Sequence, residues 1–212
     1  MLFDFKHTPL RDVYNLIIGL VAPRPIALVT TLGPGGKVNA APFSSYNYLC
    51  LDPPIVGLGI AAKSAALDGL KDTARNIEAT REFVVNVVTE DLFRPMNHCG
   101  IDFPPDVSEL DRAGLHPEPS SVVAVPRLRE AHAALECRLY QTLQPGPGRI
   151  ILGQVLAVYV EDRFVDLKGP YILAEDLHSM GRMNGAGNYV RTRGAFEHLA
   201  RISPEQWEQG VR

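Results

Sequence analysis

Two apolar runs of strand length, Ile55 to Ile60 and Phe83 to Val88, the second broken only by Asn86, constrain this chain more than any other feature. They are bounded by Pro53-Pro54 on one side and by Thr89 on the other, so both read as central strands buried on two faces. Around them the chain is cut into hairpins. Ile26 to Thr31 meets the turn at Gly33-Pro34-Gly35-Gly36 and resumes as an extended segment from Lys37 to Ala41. Leu135, Cys137, Leu139 and Leu143 alternate with Glu136, Arg138, Tyr140 and Thr142, a period of two that predicts one wet face. After Pro145-Gly146-Pro147-Gly148 the run from Arg149 to Val160 pairs back on that strand. Helical spacing is confined to Pro9 to Gly19, to a segment capped by Asp72-Thr73 that ends near Thr80, and to a short helix opened by Ser203-Pro204-Glu205. These elements do not alternate as β-α-β. The expectation is a mainly β chain, an antiparallel barrel with peripheral helices, from which Asn97 to Pro126 is an excursion holding only a short capped turn at Ser108 to Gly114.

Composition removes several function classes. The 212 residues carry 21 basic and 24 acidic side chains, net charge -3, which leaves no cationic excess for a nucleic acid or an anionic membrane. The longest apolar stretches, Leu16 to Ala22 and Ile150 to Val160, are shorter than the ~18 residues of a membrane-spanning helix. Asp4 and Asp12 stand where a secretory signal is basic, and Pro23-Arg24-Pro25 where it is cleaved, so a cytoplasmic protein is expected. Cys50, Cys99 and Cys137 are odd in number and widely spaced, which predicts buried free thiols rather than disulfides or zinc. No two histidines stand four apart, and only His98 has a thiol neighbour, Cys99; no metal site is expected. Dinucleotide, P-loop, nucleophile-elbow and zincin motifs are all missing from the sequence.

One segment departs from ordinary core or turn chemistry. Asn39-Ala40-Ala41-Pro42-Phe43-Ser44-Ser45-Tyr46-Asn47 is dense in amides and hydroxyls between apolar strands, so its polar groups need partners in the fold or on a ligand. Ala40 and Ala41 are small enough for a flat ligand to approach the backbone, and Phe43 or Tyr46 offers an aromatic face. A hydrogen-bonded corner accounts for the same residues equally well. Lys63-Ser64 and Lys71-Asp72-Thr73 tip the balance, because they add two cations, hydroxyls and a helix N-terminus on the same side of the expected sheet.

With those residues in view, the chain resembles the flavin reductase-like family of FMN-binding split β-barrel proteins. The resemblance runs through Pro23 to Thr31, Asn39 to Ser44, Asp52 to Val56, Lys71 to Ile77, Glu82 to Asn86, Met96-Asn97, Ala134 to Cys137, and Gly181-Arg182 with Tyr189. It implies one domain over residues 1–212 and a homodimer whose two FMN sites lie near the subunit interface. As cofactor-binding residues it implies Asn39, Ala41, Pro42, Phe43, Ser44, Ser45, Tyr46 and Asn47, with Lys71, Asp72 and Thr73 closing on the phosphate; Lys63, from the cation cluster, is expected beside them. Arg24, Asn76, Arg182 and Tyr189 are the candidates for further flavin or substrate contacts. The segment Gly181 to Tyr189 departs somewhat from the family's arginine, paired glycines and tyrosine, and a glycine-rich surface loop also describes it. The implied activity is hydride transfer from NADH or NADPH to FMN, the nicotinamide stacking on bound flavin without a dinucleotide domain, and the reduced flavin passing to an oxygenase or another electron acceptor. A non-catalytic FMN-binding electron carrier of the flavoredoxin kind is the alternative, and a barrel that has lost flavin a third.

Overall fold

The computed structural model describes residues 1–63, 66, 69–101, 108–185, 187–199 and 203–208; Ser64 of the expected cation cluster lies outside them. Helix α1 (Leu10–Leu20) has Pro9 as its N-cap, without a side-chain cap, and none of its residues is buried. The stretch that follows contains β1 (Arg24–Pro25), β2 (Ala27–Leu32), β3 (Val38–Phe43), β4 (Tyr46–Leu51) and β5 (Pro54–Ile60). Next come α2 (Asp72–Thr80), β6 (Glu82–Val87), α3 (Phe93–His98), α4 (Glu109–Ala113) and the small ladder of β7 (Pro117–Glu118) with β8 (Arg127–Leu128). Long strands β9 (Ala133–Leu143) and β10 (Arg149–Val160) precede β11 (Val165–Asp166), β12 (Tyr171–Ile172) and α5 (Ala174–Leu177). The chain ends with β13 (Met180–Arg182), β14 (Tyr189–Arg191) and α6 (Pro204–Glu208). No helix among the described residues is long and apolar enough to cross a membrane.

Seven strands form one antiparallel sheet in the order β3-β2-β6-β9-β10-β5-β4. Its two edge strands, β3 and β4, follow one another through the Ser44-Ser45 corner. The sheet wraps one core. Val29, Phe43, Leu58, Phe83, Leu139 and Ile151, from six different strands, share it with Ala74 and Ile77 of α2. The apolar runs occupy β5 and β6, where neither face meets water. The β2–β3 hairpin pairs Ala27 with Phe43, and its turn needs glycine because Gly35 and Gly36 both take positive φ. A second apolar layer, with Leu28, Ala40, Leu92, Met96, Cys99 and Leu110, packs α3 and α4 against β2 and β3. The segment expected as an excursion is therefore anchored to the sheet.

Three expectations need correction. Glu136 is not on a wet face: it is fully buried, and its carboxylate accepts N–H bonds from Ser121 (2.8 Å) and Val122 (2.6 Å). The loop over the sheet brings its unpaired backbone donors to that strand, and a carboxylate can accept several such bonds where an apolar residue would leave them unmet. Cys50 is exposed, because β4 is an edge strand, whereas Cys99 and Cys137 are buried. Asp72 does not cap α2. It is the first helical residue and pairs with Arg75, while Lys71 occupies the N-cap with no side-chain cap bond.

Candidate functional site

That uncapped N-terminus opens on a cavity of about 390 Å³. Helix α2 leaves the N–H groups of its first turn without intrahelical acceptors, and the side chain of its N-cap residue, Lys71, does not cap them. Thr73 lies in this turn, fully buried, with Oγ1 accepting from Asn39 Nδ2 at 3.3 Å. A hydroxyl that accepts one bond keeps its proton to donate. Lys71, Asp72 and Thr73 all line the cavity, and Lys63 joins them from the segment after β5. The floor is the end of β3 and the corner beyond it: Ala40, Ala41, Pro42, Phe43 and Ser44. Only small side chains and a proline ring separate much of that backbone from the cavity, which suits close approach by a flat ligand.

The segment Asn39 to Asn47 is thus not a loop but strand, corner and strand, and successive side chains point to opposite sides. Ser44 faces the cavity, whereas Ser45 packs against Gly59, where an added Cβ would lie 2.9 Å from its own. Tyr46 turns into the main core, where burial and then Cys137 push its phenol up to about 12. Asn47 is exposed and accepts from the N–H of Tyr48 at 2.9 Å. None of Ser45, Tyr46 and Asn47 lines the cavity. Asn39 stands behind Thr73, and Asn76 is buried with Nδ2 donating to Thr31 Oγ1 at 3.0 Å; neither lines the cavity. Both amides hold the machinery in place, Asn76 by joining α2 to β2.

Arg24, Arg182 and Tyr189 do reach the cavity. The sequence left unmarked several other lining residues, among them Tyr14 and Ile18 on α1, Asn184, and Cys99, Gly100, Ile101 and Glu109 around α3 and α4. No local motif announces them, since they arrive from distant segments by packing. Burial, and then the Glu109 carboxylate, push the Cys99 thiol up to about 12, so it is a protonated thiol at neutral pH and not a nucleophile. The cavity is built to bind and orient.

The chain matches the model of the flavin reductase like domain over residues 20–175, and it belongs to that family. A protein of Aquifex aeolicus is 38% identical over 194 residues, covering 92% of this chain and 97% of its own. Among solved structures, 2-nitrobenzoate 2-nitroreductase NbaA of Pseudomonas fluorescens superposes with a TM-score of 0.84 at 33% identity, covering 96% of each chain. Nitrilotriacetate monooxygenase component B of Bacillus cereus superposes with a TM-score of 0.86 at 28% identity, covering 95% of this chain and 98% of that one.

Proposed function

We propose that the cavity holds FMN and that the protein is an NAD(P)H-dependent flavin reductase. One observation carries this reading: an uncapped helix N-terminus, a buried hydroxyl and a lysine converge on a cavity floored by small residues. The donor set fits a phosphate ester. Thr73 and the first-turn N–H groups of α2 supply hydrogen bonds, Lys71 and Lys63 supply charge, and Asp72 is partly neutralised by Arg75. When bound, FMN supplies the two-electron chemistry. The chain's own part would be to hold that group against the small residues of the floor, with Tyr14 and Ile18 of α1 on the cavity wall limiting its contact with water. Nothing in this reading needs an ionisable side chain to move a proton, which suits a cavity whose thiol stays protonated.

A chemistry that asks no proton transfer of the chain also suits an electron carrier of the flavoredoxin kind. The two readings separate by steady-state oxidation of NADH or NADPH with added FMN: turnover with free flavin is expected, and its absence from a flavin-loaded protein would select the carrier. FMN at about 100 times its Kd should stabilise the protein by about 2.7 kcal/mol, a melting shift of several degrees. A colourless protein with no such shift would remove flavin from both readings. In this proposal residues 1–212 act as one cytoplasmic domain, and an oxygenase is the candidate acceptor of the reduced flavin.

The proposal includes a homodimer. Leu10, Tyr14, Ile17 and Leu20 of α1 are exposed, as are Tyr48, Leu49 and Leu51 of the edge strand β4. Apolar faces of this extent mark association surfaces, and α1 also lines the cavity. Ile17→Asp should therefore yield a monomer in sedimentation at micromolar concentration and weaken FMN by at least about tenfold, since a charge buried in an interface costs several kcal/mol. A dimer with unchanged flavin affinity would place the interface elsewhere.

A further inference from the structure

The cavity contains two arginines that face each other across a ladder, Arg24 of β1 opposite Arg182 of β13. They are employed differently. Arg24 spends its guanidinium on carbonyl oxygens: Nη1 donates to Ile18 and Val21, at 2.6 Å each, and Nη2 donates to Met183 at 2.5 Å. It closes the C-terminal end of α1 and ties that helix to the segment between β13 and β14. The Arg182 guanidinium, in contrast, has no hydrogen-bond acceptor and no carboxylate partner among the described residues. It lies over the Tyr189 ring, 4.5 Å from the centroid, and Phe93 braces that ring edge-on at 4.7 Å.

A half-buried guanidinium without an acceptor is unfinished. Its N–H donors keep a fixed planar fork, matched to the two oxygens of a carboxylate or a phosphate. Stacking on a braced ring removes much of the side-chain freedom that would otherwise be lost on binding. Of the two lining carboxylates among the described residues, Asp72 is occupied by Arg75 and Glu109 forms no ion pair with Arg182, and Arg182 sits on a different element from the α2 N-terminus. The cavity therefore has a second anion-seeking position besides the one assigned to the flavin phosphate.

We propose that Arg182, presented on Tyr189, binds the anionic group of the second ligand, the molecule that exchanges electrons with the flavin. The inference rests on the reading of the cavity as a flavin site. The shared chemistry is an oxyanion, and two sources present it: the pyrophosphate of a dinucleotide donor or the carboxylate of a small aromatic acceptor.

The test titrates FMN-loaded protein with ADP-ribose, with benzoate and with benzamide, followed by calorimetry and by the flavin absorbance. Saturable binding of at least one anionic probe to the wild type is expected. Arg182→Met should weaken that probe at least about tenfold, Arg182→Lys should recover part of the loss, and benzamide should not respond. FMN affinity should change less than about threefold, with the circular dichroism melt preserved. A loss confined to ADP-ribose assigns the dinucleotide, and one confined to benzoate assigns the acceptor. Anionic probes that ignore Arg182→Met, or that fail to bind the wild type, overturn the proposal. So does a variant that loses FMN while keeping riboflavin, because Arg182 would then hold the flavin's own phosphate. Failure of the wild type to take up FMN at all sinks the flavin reading instead, and it is measured first.

Discussion

Lys71→Ala and Thr73→Val together are expected to weaken FMN by about a hundredfold or more, while riboflavin affinity stays within about threefold. Hydrogen bonds to a charged group contribute about 1.5–3 kcal/mol each, and only FMN brings the dianion that makes these bonds charge-assisted. Thr73 should dominate. It is fully buried and already oriented by Asn39, whereas Lys71 is exposed and its Coulomb term is screened by water and salt. About twentyfold from Thr73→Val and about fivefold from Lys71→Ala are the working figures, with Thr73→Ser nearly silent because it keeps the hydroxyl. Raising the salt concentration should shrink the Lys71 effect more than the Thr73 effect. Parallel titrations of FMN and riboflavin provide the check. Equal losses for both ligands would move the phosphate away from α2, with Lys63 next in line.

Gly153→Val is expected to be the most damaging single substitution to the fold, lowering stability by about 3 kcal/mol or more. The position looks tolerant in the sequence, a glycine within a strand of branched aliphatics. In the structure an added Cβ would stand 2.2 Å from Cζ and 2.7 Å from Cε1 of Phe83. The Phe83 ring is fully buried in the main core, so it has nowhere to retreat. Gly153 is also where the β9–β10 register shifts, from Leu152 opposite Gln141 to Gly153 opposite Leu139. Phe83→Leu should restore part of the loss in a double variant, because a smaller side chain vacates the space beside position 153. Urea midpoints at constant m-value measure both effects. A Gly153→Ala protein with the wild-type midpoint would show that the ring yields, contrary to its packing.

Six strands of the seven-stranded sheet, all but β4, and helices α1 and α2 are legible in the sequence because their signals are local. β5 and β6 are read from their apolar runs, β9 from its period of two, and the β2–β3 hairpin from four turn residues. Helix α1 is also read, yet its apolar stripe finds no core in this chain. The reading fails where a residue's role depends on what packs opposite. Glu136 sits on the expected polar side of its strand, but the 120–125 segment covers it and turns a wet carboxylate into a buried acceptor. Ser45, Tyr46 and Asn47 belong to the same polar cluster as Ser44, but the corner after β3 aims only Ser44 at the cavity.

By itself, then, the sequence determined that the chain folds as antiparallel hairpins around central apolar strands, and that Lys71 to Thr73 would supply cations and donors at a helix start. Those properties follow from periodicity, turn chemistry and side-chain type, all of which act within a few residues. Only the tertiary structure decided that the helix start lacks a side-chain cap, that Asn39 backs Thr73, and that α1, α3, α4 and the β13–β14 segment close one cavity. It also decided which arginine is spent. Arg24 and Arg182 have the same side chain and face each other, yet three carbonyl oxygens, of Ile18, Val21 and Met183, satisfy the first and nothing comparable among the described residues meets the second. The physical reason is that hydrogen-bond satisfaction is a property of the assembled surroundings, set by segments as far apart as 159 positions in the chain.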